Sequence, residues 1–201
     1  WSIGLAQYIK RKKGMGKIIA FEPHPINFKR LVENIELSGL QDYISVHNLA
    51  LSDTEGSLQL VLREDFERGA TTGNASVSSN PDLDRSFETI TIKSTTLDKF
   101  LSPMQIDNVN FIKVDIEGHE DFFFRGAKKL IEKKAPIILF EINMVFYNAR
   151  GIKILDIFNS MLKGYNFFDG VYRSKDLNDF KDRFRVTKDI TNIIAKADLD
   201  K

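Results

Sequence analysis

The feature that most constrains this chain is a repeated switch of hydrophobic period from strand to helix and back to strand. In "GKIIAFEP" four to five apolar residues stand between Gly16 and Pro23, too few for a helix and right for a buried strand. In "HPINFKRLVENIELSG" the apolar positions Phe28, Leu31, Val32 and Ile35 recur at helical spacing, with Pro25 suited to a first turn and Gly39 to a stop. "YISVHNLAL" is again strand-like. The switch returns in "NFIKV", "EDFFFRGAKKLIEKKAP" and "IILFEIN". Strands alternating with helices bury both faces of a sheet and connect by right-handed crossovers, so the predicted class is α/β with a doubly wound, mostly parallel sheet.

The intervening segments fit around this frame. "SDTEG" turns the chain into "SLQLVL", whose alternation predicts an antiparallel or edge strand, and "ETITIKS" alternates as another. "TTLDKFLS" reads as a short helix or turn, and residues 63–87 have no sustained period and read as a long functional or mobile loop. From Glu120 to Pro136 one helix is expected, its face formed by Phe123, Ala127, Leu130 and Ile131. "IKILDIFNSMLKGY" is amphipathic, and "NFFDGVYR" opens a hairpin whose partner lies beyond residue 180. There is no internal repeat or linker, so 1–201 reads as a single domain. It opens at Trp1, directly into the helical "IGLAQYIKRKKG", and so reads as a fragment whose beginning lies upstream.

Composition narrows the function classes. With 29 basic and 28 acidic residues the formal charge is +1, which gives no global field toward nucleic acid or an anionic membrane. No apolar run reaches membrane-span length and no secretory signal opens the chain. Cysteine is absent, which excludes disulfides, thiolate metal sites and a cysteine nucleophile and fits a reducing, cytoplasmic setting.

In doubly wound sheets ligands bind beyond the carboxyl ends of the strands. Glu22 ends one strand, Asn48 and Ala50 end the next, Asp115 ends another and Glu141 lies near the end of a fourth, so polar groups converge on one edge. The cluster Asp115, Glu117, Glu120 and Asp121 directly follows an apolar strand, and like charges so close need water, cations or a ligand. Glu22 is placed to accept both hydroxyls of a ribose, or else is an acid at a solvated strand end. Lys113 shares a side with Asp115, and Glu141 is its expected partner. His119 reads either as a general base or as a residue capping the next helix or facing solvent. His24, Glu117 and Glu120 with Asp115 could ligate a metal only if loops gathered them; no tight ligand spacing is present, and no metal is expected. Gly14-Met15-Gly16 precedes its strand, which rules it out as a phosphate-cradling loop.

Three stretches together, "GKIIAFEPHPINFKRLVENIELSG", "NLALSDTEGSLQL" and "TTLDKFL...NVNFIKVDIEGHEDFFFRGAKKLI...PIILFEI", resemble the FkbM-type methyltransferases in order and spacing from about Gly16 to Ile142. The resemblance implies the Rossmann-like class I methyltransferase fold, the cofactor S-adenosyl-L-methionine, and methyl transfer to a hydroxyl of a sugar or other small molecule. By position it implies that Glu22 with Pro23 binds the ribose, that Asn48, Ala50 and Leu51 flank the adenine, and that Asp115 and Glu117 line the methionine and acceptor side. An oxygen acceptor must lose a proton, and the candidate bases are Asp115, Glu117 and His119, in that order. The family's first strand and glycine loop are missing before Trp1, and weak or no cofactor binding is expected of the sequence as it stands. Two other readings use the same residues: a nicotinamide-dependent oxidoreductase, and a non-catalytic nucleoside-binding module.

Overall fold

The computed structural model of the chain describes residues 1–62, 75–78, 84–106, 108–169, 174–175 and 190–197. The first strand–helix–strand unit forms as the sequence predicts. β1 (Ile18–Phe21) pairs in parallel with β2 (Ile44–His47), Ile18 opposite Ile44. Between them runs α2 (Pro25–Leu37), whose first turn is capped by His24, its ring nitrogen Nδ1 accepting from the Asn27 amide at 3.4 Å. The helix ends at Gly39, which takes a φ of 59°, a conformation that glycine adopts without strain. The opening helix α1 (Ser2–Arg11) lays Ala6 against Ala20, Ile35, Leu40 and Ile44, a small core of its own.

The larger core belongs to a five-stranded sheet. β7 (Phe111–Val114) pairs in parallel with β8 (Ile137–Asn143), and β11 (Ile190–Ala197) returns antiparallel between β8 and β9 (Tyr165–Asp169). β10 (Ser174–Lys175) flanks β9, giving the order β10-β9-β11-β8-β7. The hairpin expected after "NFFDGVYR" therefore has its partner beyond residue 180. Val114, Phe124, Ile138, Phe140, Ile142, Tyr147 and Ile193 are the buried heart of this layer. Ile19, Phe21 and Leu51 pack on it from the side, and the Phe21 and Phe100 rings meet edge to face at 4.8 Å.

A third sheet consists of β3 (Ala50–Leu51), β6 (Glu88–Thr95), β4 (Gly56–Leu62) and β5 (Ala75–Val77) in the order β3-β6-β4-β5. β4 runs antiparallel to β6 and β5, as its alternation predicts. Residues 63–74 and 79–83, most of the segment expected to be a functional or mobile loop, lie outside the described residues.

Two fold expectations need correction. In place of one doubly wound, mostly parallel sheet the described strands form a parallel pair and two mixed sheets: β1–β2, β3–β6 and β7–β8 are parallel and the remaining pairings antiparallel. A turn as short as "SDTEG" cannot carry the crossover that parallel neighbours require. Among the described residues no strand pairs with the outer edge of β7 or with the edge of β1 away from β2. The single helix over 120–136 is two, α4 (Glu120–Gly126) and α5 (Lys128–Lys134). Gly126 presses on the chain so closely that a Cβ there would sit 1.9 Å from the Ser52 carbonyl oxygen, and Asp98 restarts the helix by accepting from the Lys129 and Leu130 amides at 2.9 and 2.8 Å. Asp98 belongs to α3 (Leu97–Leu101), the short helix that "TTLDKFLS" predicts. The sequence reading did not anticipate α6 (Met144–Ala149), which follows β8 at once and is capped by Asn143; α7 (Ile154–Met161) is the amphipathic segment beyond it.

Candidate active site

The strand ends converge. A cleft of about 410 Å³ is lined by Glu22 and Pro23 after β1, by Ala50 and Leu51 of β3, by Asp115, Glu117 and His119 after β7, and by Glu141 of β8. Its volume lies within the range of small-molecule sites. Leu60, Ala75 and Val77 of the third sheet and Phe123 of α4 supply apolar wall, a contribution that strand alternation alone does not reveal.

Of the residues expected at this edge, Asn48 is the one that does not line the cleft. Its amide nitrogen donates to the carbonyls of Glu22 and Pro23, at 2.8 and 3.0 Å, and so fixes the turn that carries Glu22. The Glu22 carboxylate accepts from the His24 amide at 3.0 Å; burial nevertheless raises its pKa, and the amide bond only partly offsets that rise.

Lining the same cleft, Asp115, Glu117 and Glu141 each bring a carboxylate oxygen to within 4.8 Å of the others. The expected Lys113–Glu141 pair is replaced by a Lys113–Asp115 ion pair, because the two side chains stand on one side of the chain two residues apart; burial and then the Asp115 charge raise the Glu141 pKa, and the Lys113 charge offsets only part of that rise. Among the described residues Glu117 has no cation of its own. Burial, then the charges of Glu141, Asp115 and Glu120, push its carboxyl up to about 7, against a hydrogen bond from Asn143. It sits on strained backbone: Glu117 takes a φ of 52° and Gly118 one of 88°.

This turn is held from beneath. Glu120, almost wholly buried, turns away from the cleft to accept from the Ile116 and Gly118 amides, each at 3.3 Å, and from the Tyr147 hydroxyl. Asp121 is equally buried and is clasped by Arg150 at 2.8 Å and Arg125 at 3.1 Å, while Arg150 also donates to the Gly118 carbonyl at 2.7 Å. The acidic run therefore divides, two members facing the cleft and two serving as internal anchors. Sequence reading missed Arg150 and Tyr147; the signal available was that a buried Asp121 demands a cation from somewhere.

His119 is buried and stacked on Phe122 at 4.3 Å; it occupies the N-cap position of α4, as one of its two readings expects, but its side chain makes no capping hydrogen bond and does not face solvent. Its Nε2 shares a 3.0 Å hydrogen bond with Ser52 Oγ, and its Nδ1 is a buried atom without a partner. Burial lowers its pKa to about 4, so the ring is neutral at neutral pH and a poor proton acceptor there. The metal-ligand set considered from the sequence does not assemble, since His24 caps α2 and Glu120 points inward. Among the described residues the oxygens that could hold a cation are those of Asp115, Glu117 and Glu141.

Residues 4–173 match the Methyltransferase FkbM domain family. A curated relative, "Methyltransferase 1" of Beauveria bassiana (strain ARSEF 2860), is 28% identical over 130 residues, covering 59% of this chain and 52% of its own. The crystal structure of Methyltransferase FkbM from Methylobacillus flagellatus KT superposes with a TM-score of 0.55 at 18% identity over 96% of this chain and 41% of that one, a likeness of fold. The chain thus spans about half the length of these relatives. No helix among the described residues is long and apolar enough to cross a membrane. With the family match running through both walls of the cleft, the chain belongs to the FkbM methyltransferase family.

Proposed function

We propose that this domain transfers a methyl group from S-adenosyl-L-methionine to a hydroxyl oxygen of a sugar or other small molecule. The observation that carries the reading is the convergence of Glu22, Asp115, Glu117 and Glu141, from the ends of three strands, on one cleft in a chain of this family. The residues fit the donor. Glu22 offers two acceptor oxygens to the ribose hydroxyls, Pro23, Ala50 and Leu51 offer apolar surface to the adenine, and Asp115 and its neighbouring carboxylates suit the positive charges of the sulfonium and amino groups. When bound, the donor supplies an electrophilic methyl on a leaving group that needs no further activation.

The chain's task is then alignment, exclusion of water and removal of one proton. Glu117 is the base of this reading, because a carboxyl that titrates at about 7 is half ionised at neutrality and accepts a proton with little driving-force penalty. Asp115, exposed and paired with Lys113, steers charge. Neutral His119 orients. Asn48 acts indirectly, through the Glu22 turn.

The test is full-length protein incubated with donor carrying a labelled methyl and a panel of sugars and small alcohols. Label should pass to a hydroxyl compound and Glu117→Gln should abolish transfer while donor binding persists. Binding without transfer to any of the panel would favour a module that holds the nucleoside without chemistry.

A further inference from the structure

The chain is nearly neutral as a whole, yet its charges are unevenly spread. No acidic residue occurs before Glu22, whereas Lys10, Arg11, Lys12, Lys13 and Lys17 all precede it. These five are exposed and gather where α1 ends and the chain turns into β1. None of them forms an ion pair among the described residues. Lys10 donates to the Gly39 carbonyl at 2.9 Å and Lys17 to the Asp42 carbonyl, neutral acceptors that fix the ammonium groups without cancelling their charge. Arg11 and Lys12 lie 5.8 and 5.9 Å from the centre of the Tyr8 ring, and Lys17 lies 5.7 Å from that of Tyr43. Cations crowded in this way repel one another, and an anionic surface relieves the repulsion.

Large apolar side chains stand among these charges. Met15, between Lys13 and Lys17, is 94% exposed, and Leu37, in the last turn of α2 near the carbonyl that Lys10 holds, is 86% exposed. Tyr8 is half-exposed. The phosphates of a nucleic acid offer Met15 and Leu37 nothing to pack on, whereas a bilayer takes cations at its headgroups and apolar side chains just beneath them. We propose that this end of the molecule is a docking surface for an anionic membrane, with the five cations among the headgroups and Met15 and Leu37 entering the interface. α1 remains packed through Ile3 and Ala6 on Ala20 and Leu40, so docking requires no unfolding. The surface does not overlap the cleft, because Lys17 precedes β1 whereas Glu22, which lines the cleft, follows it. Nor does it depend on the methyl-transfer reading.

The experiment is co-sedimentation of full-length protein with vesicles of phosphatidylcholine alone and with vesicles containing about one third phosphatidylserine. Binding to the acidic vesicles should be roughly tenfold tighter or more at low salt, and added salt should release the protein. Lys12→Glu with Lys13→Glu should abolish the preference. Met15→Ser with Leu37→Ser leaves the charge unchanged and should weaken binding severalfold. Both pairs of changes are exposed and away from the cleft, so nucleoside binding in calorimetry should keep its wild-type value. Equal binding to the two vesicle types, or binding to neither, would overturn the proposal, and so would binding that survives the charge reversal. An RNA oligomer held more tightly than the acidic vesicles, with no loss on Met15→Ser and Leu37→Ser, would overturn it in favour of a nucleic acid.

Discussion

The two walls of the cleft are built by different means. The Glu22 wall stands on a small core of Ala6, Ala20, Ile35, Leu40 and Ile44, and its turn is held by two hydrogen bonds from an exposed asparagine. The Glu117 wall stands on the main core and is held by buried charges, with Glu120, Asp121 and Arg150 paired out of solvent beneath it. A buried ionic network is rarely the cheapest way to stabilise a fold, since desolvation offsets much of the attraction. What it provides here is a fixed backbone shape. The lesson is a division of labour: a lightly held turn at Glu22, and a heavily anchored one that holds a carboxylate in strained, partly dry surroundings.

This contrast can be broken most severely at Gly118. Gly118→Ala demands a left-handed φ of an alanine and a Cβ 2.3 Å from Phe146, so it should cost more than about 3 kcal/mol and lower Tm by roughly 10 °C or prevent folding. Gly39→Ala, at the end of α2 beside the small core that carries Glu22, meets nothing closer than the Lys10 ammonium at 3.5 Å and should cost only about 1 kcal/mol. Similar losses in thermal melts would erase the distinction.

Next in size is Glu22→Ala. Loss of a charged acceptor pair should weaken nucleoside binding roughly tenfold to a hundredfold in calorimetry while leaving Tm nearly unchanged. A large drop in Tm would make Glu22 structural.

A smaller effect separates Glu117 by pH. Its carboxyl is raised in the fold, so its contribution to stability is present below the unfolded value of 4.5 and is lost as pH rises through about 7. Glu117→Gln should therefore raise stability at pH 8 relative to pH 5, by about 1–2 kcal/mol once partial solvent screening is allowed for. Equal effects at both pH values, read from denaturant midpoints, would mean that Glu117 is not perturbed. The smallest change is expected for Asn48→Ala, about 1 kcal/mol of stability with a severalfold loss of nucleoside affinity.

The sequence was most readable where one physical pattern governs. The apolar runs of β1, β2, β7 and β8 and the spacing of α2 left few alternatives, and the positions of Glu22, Asp115 and Glu141 at strand ends followed from them. What was hidden depends on contacts between distant residues. The break at Ala127 comes from Gly126 meeting Ser52, and no local pattern announces it. Arg150 reaches an acid 29 positions away, and the split of the acidic run into cleft-facing and buried members depends on that reach. The antiparallel members were legible locally, β4 from its alternation after a short turn and β9 as the first arm of a hairpin, whereas the number of antiparallel pairings was hidden because it is set by which distant strands meet.

The most direct test is calorimetric titration of full-length protein with S-adenosylhomocysteine and, separately, with NAD. The account predicts binding of the homocysteine nucleoside, weakened by Glu22→Ala and by charge reversal at Asp115, with no heat from NAD. Binding of NAD alone would contradict it.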